Sequence, residues 1–169
     1  WLNEGGGAFH NNGAIFHWNK TLIEGLDALD PKTRMLDMSR IGPILTGDKR
    51  DLGDGPPVTA LFVQNMNPVQ VAPEQRKVKA GFMRDDLFVC THEQFMTATA
   101  EMSDIVLPAT MFLEHDDVYQ GGGQQHIMLG PKLLAVPGEC RSNHDVIAAL
   151  AKRVGAHHRG FEMTPRRLI

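Results

Sequence analysis

The chain has 169 residues, of which 42% are hydrophobic, so it is long enough for one core and too short for an enzyme with its active site between several domains. Its formal net charge is −3 and its lysines and arginines are scattered, which argues against nucleic acid or an acidic membrane surface as a partner. Its two cysteines, Cys90 and Cys140, form no CxxC motif, so this chain alone does not supply the ligands of an iron–sulfur cluster or a zinc site. No apolar run reaches the length of a membrane span, and direct membrane insertion is not expected.

Both ends of the sequence suggest a fragment of a longer protein. The first residue is Trp1, and the last residues follow a new segment start at Thr164 and Pro165 without a closing element. We expect an irregular and helical arm at residues 1–57 that belongs to a neighbouring part of the parent chain, an α/β domain at 58–156, and the truncated start of another segment at 157–169. Within the arm, residues 19–29 have the apolar spacing of a short amphipathic helix.

The next elements in chain order predict a βαβ unit. Residues 58–63 form a continuous apolar run, which is typical of a parallel strand buried on both faces of a sheet. After a turn at 65–68, Pro73 suits the first turn of a helix, whose apolar stripe is Val78, Phe82 and Met83. A second strand is expected at 87–90, with His92 and Glu93 leaving it.

A second unit follows the first. Small residues at 97–103 lead to a third apolar strand at 105–107, which Pro108 stops, and a glycine run at 121–123 reads as a surface loop. The last element is a helix with apolar positions from Val146 to Val154, capped by Ser142 or Asn143 and ended by Gly155. The predicted fold class is therefore α/β, an open parallel sheet with flanking helices (Rossmann-like), plus an irregular N-terminal arm.

Polar residues follow each predicted strand, where ligands bind in open parallel sheets. An Asn-x-Asn-Pro turn at 65–68 can aim backbone N–H groups and an amide at a phosphate or sugar, because Asn tolerates the left-handed conformation and Pro stiffens the exit. Glu93 can accept paired hydrogen bonds from ribose hydroxyls or from a guanine edge. Each feature alone is more often an ordinary turn or a solvated carboxylate, so these residues suggest a nucleotide site and leave the plainer interpretation open.

Three longer runs carry a more specific likeness. They are ALFVQNMNP at 60–68, DLFVCTHEQFMTATA at 86–100 and SDIVLPAT at 103–110, with DMSRIG at 37–42 upstream and PGECRSN at 137–143 downstream. In order, spacing and residue type they resemble the molybdopterin oxidoreductases of the dimethyl sulfoxide reductase superfamily, and the likeness covers nearly the whole chain.

The resemblance implies a bis(molybdopterin guanine dinucleotide) cofactor carrying molybdenum or tungsten, held by two related α/β domains, of which this chain is similar to the later. It also implies that five residues contact the cofactor. They are Asn67, His92, Glu93, His115 and Asn143. At the positions of His92, His115 and Asn143 relatives commonly carry Ser, Lys and Asp, so those three contacts depart from the family pattern.

The resemblance places the metal ligand and a 4Fe-4S cluster upstream of the matched region, so no catalytic or metal-ligating residue is assigned here and the fragment alone is expected to be inactive. Cys90 is not assigned as a ligand, because burial in an apolar strand raises the pKa of a thiol. Asp104 is expected to tie its strand to a neighbour. His10, His17 and the pair at 157–158 are expected to be surface or packing residues, since two histidines without a third ligand make no metal site.

The parent is accordingly expected to be a molybdenum or tungsten oxidoreductase of the formate dehydrogenase and nitrate or sulfoxide reductase type, which moves two electrons between a small substrate and a redox chain. The alternatives are a homologue without cofactor that serves as an electron-transfer scaffold subunit, and a stand-alone nucleotide-binding module. Expected partners are the molybdopterin guanine dinucleotide, other domains of the same parent and an electron-transfer subunit, and the default compartment is the cytoplasm, with the periplasm as the alternative.

Overall fold

The computed structural model describes residues 30–119, 128–158 and 160. The helix predicted at 19–29 and the glycine run at 121–123 lie outside the described residues. The chain divides into two compact units. The sheet unit contains residues 31–109 and 138–141, and the described part of the other, here called the hairpin–helix unit, contains 30, 110–119, 128–137, 142–158 and 160.

The sheet unit is built on three parallel strands. These are β1 (Ala60–Gln64), β2 (Phe88–Glu93) and β3 (Ile105–Pro108), in the order β1-β2-β3. The predicted parallel α/β sheet is thus confirmed. Strand β2 extends further than expected, because His92 pairs with Gln64 and Leu107, and Glu93 pairs with Pro108. A strand continues for as long as a neighbour offers hydrogen-bonding partners.

Short helices connect and precede these strands. They are α1 (Ile41–Leu45), α2 (Lys49–Leu52), α3 (Pro68–Val71), α4 (Gln75–Phe82) and α5 (Ala98–Glu101), with a 3-10 turn at Met38–Arg40. Asp48 and Thr97 cap α2 and α5 by accepting hydrogen bonds from backbone N–H groups. Three of these elements fall within residues 1–57, where the sequence suggested an irregular and helical arm. The division into domains at 57 and 156 stays a prediction.

One face of the sheet carries the core. The core side chains come from α1, from the first two strands and from the helices between them, and they are Leu45, Val63, Val69, Val78, Phe82, Leu87 and Val89. Val78 and Phe82 occupy the helix stripe that the sequence predicted. Met83, expected in the same stripe, is 74% exposed, because it follows the last residue of α4 and has turned away from the core.

The opposite face of the sheet is only partly covered in the described residues: His92, which lies on it together with Phe88 and Ile105, is 1% exposed. Phe88 is 48% exposed and Ile105 is 46% exposed. In β1, the strand expected to be buried on both faces, Ala60 is exposed and Phe62 is half-buried, so that expectation is wrong. The reason is the strand order. Two successive crossovers of the same hand that move along the sheet in one direction place their helices on the same side, and α3, α4 and α5 all lie there.

Helices α1 and α4 approach each other closely at Gly81. A Cβ atom added there would lie 2.4 Å from Cβ of Leu45, a buried core residue whose backbone is fixed within α1. The glycine is therefore required by close packing, and its small size sets the distance between the two helices.

We predict that Gly81→Ala lowers the free energy of unfolding by roughly 1 to 3 kcal/mol, because overpacking outweighs the better helix propensity of alanine. Urea denaturation measures the change. Lys79→Ala, at an exposed position of the same helix, is the control and should shift the midpoint little. Equal midpoints for the Gly81 variant and the unmodified protein would contradict the packing argument.

Asp104 ties the beginning of β3 to β2, as the sequence predicted. Its Oδ2 atom accepts a hydrogen bond of 2.7 Å from the backbone N–H of Val89, and its own N–H donates to the carbonyl of Val89 at 2.9 Å. Val89 is a buried core residue, so its N–H has to find a partner within the protein.

We predict that Asp104→Ala destabilises the protein by about 1 to 3 kcal/mol, since it leaves the N–H of Val89 unpaired. Asp104→Asn keeps an acceptor oxygen and should lose less than half as much. Thermal or chemical unfolding of the two variants side by side decides the point, and equal losses would show that charge, rather than the acceptor, is what matters.

The hairpin–helix unit contains two short antiparallel strands and one helix. These are β4 (Asp117–Tyr119), β5 (Met128–Gly130) and α6 (Asn143–Val154). The predicted caps of the helix are confirmed: the Ser142 hydroxyl accepts from the N–H of Asp145, and Gly155 ends the helix at φ 75°. Val146 and Ala151 are buried, whereas Leu150 and Val154 are exposed.

In the described parts of the chain we find no helix with the length and hydropathy to cross a bilayer.

Candidate functional site

The three parallel strands end side by side at one edge of the sheet unit. Gln64 pairs with His92, and Glu93 pairs with Pro108, so the ends of β1, β2 and β3 are level with one another. Because Asn67 follows β1 and Glu93 ends β2, both lie at this carboxyl edge. The edge is where open parallel sheets bind their ligands.

The turn after β1 has the conformation that its residue types favour. Asn65 adopts φ 56°, in the left-handed region that asparagine tolerates better than most residues. Pro68 then takes the first position of α3, where its missing N–H costs nothing. The turn therefore reverses the chain at the end of β1 and brings Asn67 next to the connection that follows β2.

The side chain of Asn67 joins the turns that follow β1 and β2. Its Oδ1 atom accepts hydrogen bonds from the backbone N–H of Thr99 at 3.2 Å and from the Thr99 hydroxyl at 2.7 Å. Among the described residues its Nδ2 group has no acceptor within hydrogen-bonding distance, and it is not sealed from solvent. Asn67 thus presents unused N–H donors at the edge.

Glu93 presents an acceptor at the same edge. Its Oε1 atom accepts from the N–H of Gln94 at 2.8 Å, and its backbone carbonyl accepts from Ala109 at 3.0 Å. Within the part of the chain that the structure describes, Oε2 has no hydrogen-bond donor. The expectation that Glu93 lies beyond the strand is corrected: it is the last residue of β2, so its backbone is fixed by pairing.

His92 is almost completely buried, with 1% of its surface exposed, and both ring nitrogens have protein partners. The carbonyl of Arg141, which only accepts, lies 3.2 Å from Nε2, so Nε2 carries the proton. Nδ1 then accepts from Nε2 of Gln64 at 3.3 Å. Burial lowers the pKa of His92 and favours this neutral form. Contact of His92 with a cofactor stays a prediction.

We predict that His92 makes stability depend on pH. Its pKa is lower in the folded than in the unfolded chain, where it is about 6.5, so the unfolding free energy is highest above that pH and falls as the pH drops toward the folded pKa. Denaturant titrations between pH 5 and 7.5 should show the fall. It should be smaller in His92→Gln and unchanged in His157→Gln, an exposed histidine. Parallel curves for all three proteins would contradict it.

The two remaining predicted residues belong to the hairpin–helix unit. Nδ1 of His115 lies 2.8 Å from the hydroxyl of Thr110, and its Nε2 lies 3.8 Å from the Asp117 carboxylate. Asn143 is exposed at the first position of α6. The structure therefore brings Asn67, His92 and Glu93 together in one unit and places His115 and Asn143 in the other. A cofactor contact for each of the five stays a prediction.

Sequence reasoning missed the side chains that hold these residues in place. Thr99 was noted only as part of a run of small residues, and Gln64 only within the stretch at 60–68 that resembles the family. The sequence offered only a weak signal: Thr99 is a polar residue between two alanines, at a position where an apolar residue would otherwise pack.

The described residues contain no group of three or more His, Cys, Asp or Glu side chains placed to hold a metal ion. Cys90 lies within β2, and burial raises the pKa of its thiol, in the direction that the sequence analysis expected. A thiol with a raised pKa is less often deprotonated at neutral pH, and the thiolate is the form that binds a metal.

Comparison with known proteins defines the family. The model of the molybdopterin oxidoreductase family matches residues 49–153. The probable oxidoreductase YoaE of Bacillus subtilis is 38% identical over 156 residues, which cover 92% of this chain and 22% of YoaE. The periplasmic nitrate reductase of Desulfovibrio desulfuricans is 32% identical over 58% of this chain and 13% of that protein. Among solved structures, acetylene hydratase from Pelobacter acetylenicus superposes with a TM-score of 0.55 and 27% identity, over 66% of this chain and 15% of that one.

This chain belongs to the molybdopterin oxidoreductase family, within the dimethyl sulfoxide reductase superfamily. Membership implies a pterin cofactor that carries molybdenum or tungsten. The chain spans about a fifth of the length of the B. subtilis relative.

Proposed function

We propose that this chain forms the later of two α/β segments that hold bis(molybdopterin guanine dinucleotide), and that it binds a guanosine end of that cofactor. One observation carries the proposal: the carboxyl edge of the sheet presents both an unused hydrogen-bond donor, on Asn67, and an unused acceptor, on Glu93. A guanosine nucleotide has both kinds of group, since its base and ribose donate and its base, sugar and phosphates accept.

The residues present fit such a group. Nδ2 of Asn67 would donate to an oxygen of the nucleotide, and Oε2 of Glu93 would accept from a base N–H or a ribose hydroxyl. Both side chains are partly held by protein contacts, so they need little reordering on binding. The bound cofactor supplies the two-electron chemistry at its metal. The chain's own task is to fix the nucleotide end so that the distant reactive end stays oriented.

For the parent protein we propose a molybdenum or tungsten oxidoreductase that transfers two electrons between a small substrate and a redox chain. The formate dehydrogenase and nitrate or sulfoxide reductase types are the substrate classes proposed. The relative named periplasmic nitrate reductase supports this range. We further propose that other domains of the parent hold the metal ligand and a 4Fe-4S cluster, that an electron-transfer subunit accepts or delivers the electrons, and that the protein works in the cytoplasm.

Metal and nucleotide analysis of the full-length parent tests the proposal. Elemental analysis should find about one molybdenum or tungsten per chain, and acid hydrolysis of the cofactor's pyrophosphate bonds should release guanosine monophosphate. Metal without guanosine monophosphate would leave the pterin cofactor standing and refute the dinucleotide form. A folded protein with neither would support the alternative, a scaffold subunit without cofactor.

We predict that Glu93→Gln reduces the amount of guanosine monophosphate recovered per chain by about tenfold, since the variant replaces a charged acceptor with a weaker amide. Asp85→Asn is the matched control. It removes the same charge from an exposed position just before β2, at the opposite edge of the sheet, and should leave recovery unchanged. Equal recovery from the Glu93 variant and the unmodified protein would argue against a nucleotide contact at Glu93.

A further inference from the structure

A chain of hydroxyl groups links β2, α5 and the turn after β1. Thr99 stands at its centre, and 0% of its surface is exposed. Its hydroxyl donates to Oδ1 of Asn67 at 2.7 Å and accepts from the N–H of Val69 at 3.1 Å. The Thr99 carbonyl accepts from the Ser103 hydroxyl at 2.8 Å, which in turn lies 2.6 Å from the hydroxyl of the buried Thr91.

We infer that Thr99 is a positioning residue that sets which end of the Asn67 amide faces the ligand. This inference rests on the proposed binding of a guanosine nucleotide at the carboxyl edge. It assigns to Thr99 no contact with the nucleotide. Thr99 acts through Asn67, by holding the carbonyl end of the amide toward the protein and the NH2 end toward the nucleotide.

The orientation follows from donor and acceptor chemistry. An asparagine side chain has an acceptor end and a donor end that exchange when the amide rotates by half a turn. The backbone N–H of Thr99 can only donate, so the end of the amide that faces it is Oδ1, and the Thr99 hydroxyl donates to the same oxygen. A rotated amide would set Nδ2 against this backbone N–H. Thr99 therefore leaves one orientation, with Nδ2 pointing away from α5.

The second consequence is rigidity before binding. The contacts of Ser103 and Thr91 anchor α5 to the central strand, so the hydroxyl of Thr99 has a fixed place from which to hold Asn67. A donor that is already oriented loses less conformational freedom when a ligand arrives, and the affinity for the ligand rises accordingly.

Binding of guanosine diphosphate to the full-length protein, prepared without its cofactor, tests the inference by calorimetry. Thr99→Val keeps the shape and removes the hydroxyl, and we expect the dissociation constant to rise about tenfold, the loss of roughly one oriented hydrogen bond. Thr99→Ser keeps the hydroxyl and should stay within about twofold of the unmodified protein.

A double-mutant cycle separates positioning from general support of the fold. Asn67→Ala removes the amide, so adding Thr99→Val to it should change the dissociation constant by less than about twofold if Thr99 acts through Asn67. A further loss as large as that in the single variant would overturn the inference, as would wild-type affinity in Thr99→Val. If the unmodified protein does not bind guanosine diphosphate, the proposed function fails and this inference fails with it. If it binds and only the cycle disagrees, the proposed function stands.

Discussion

Parallel pairing of three strands is the constraint on which the rest of the structure depends. Because Gln64 is level with His92 and Glu93 is level with Pro108, the chain leaves all three strands at one edge. The connections there lie close enough to bond to one another, and Asn67 does so with Thr99, 32 residues away in sequence. An antiparallel sheet would send alternate turns to opposite edges and would separate Asn67 from Glu93.

The same strand order explains why this unit has two unlike faces. Crossovers of one hand, taken twice in one direction, put three helices on the face that contains Val63 and Val89 and leave Phe88 and Ile105 exposed on the other. Parallel sheets in α/β proteins are generally covered on both faces. The described residues cover the first face and, at His92, part of the second. Phe88 and Ile105 are exposed and apolar, which suits a sheet covered on both faces.

The polar groups of the carboxyl edge are of two kinds: some hydrogen-bond within the protein and hold the edge in place, and others have no protein partner among the described residues. His92 and Thr99 have their hydrogen-bonding groups directed into the protein, which suits their burial, since an unpaired polar group there would be costly. Nδ2 of Asn67 and Oε2 of Glu93 keep their capacity for a ligand. In the proposed site, Asn67 and Glu93 would contact the ligand, and precision would come from the residues that hold them without contacting it.

The sequence by itself determined the elements whose cause is local. Apolar runs formed the strands, Asn65 and Gly155 took their left-handed conformations, and Ser142 capped its helix. Only the tertiary structure decided that β2 continues through His92 and Glu93, that one face of the sheet is only partly covered, and that Thr99 hydrogen-bonds to Asn67. The physical reason is distance along the chain. His92 is buried as a neutral ring because Gln64 and Arg141, 28 and 49 residues away in sequence, hydrogen-bond to its two ring nitrogens. No sequence pattern near residue 92 predicts these two contacts.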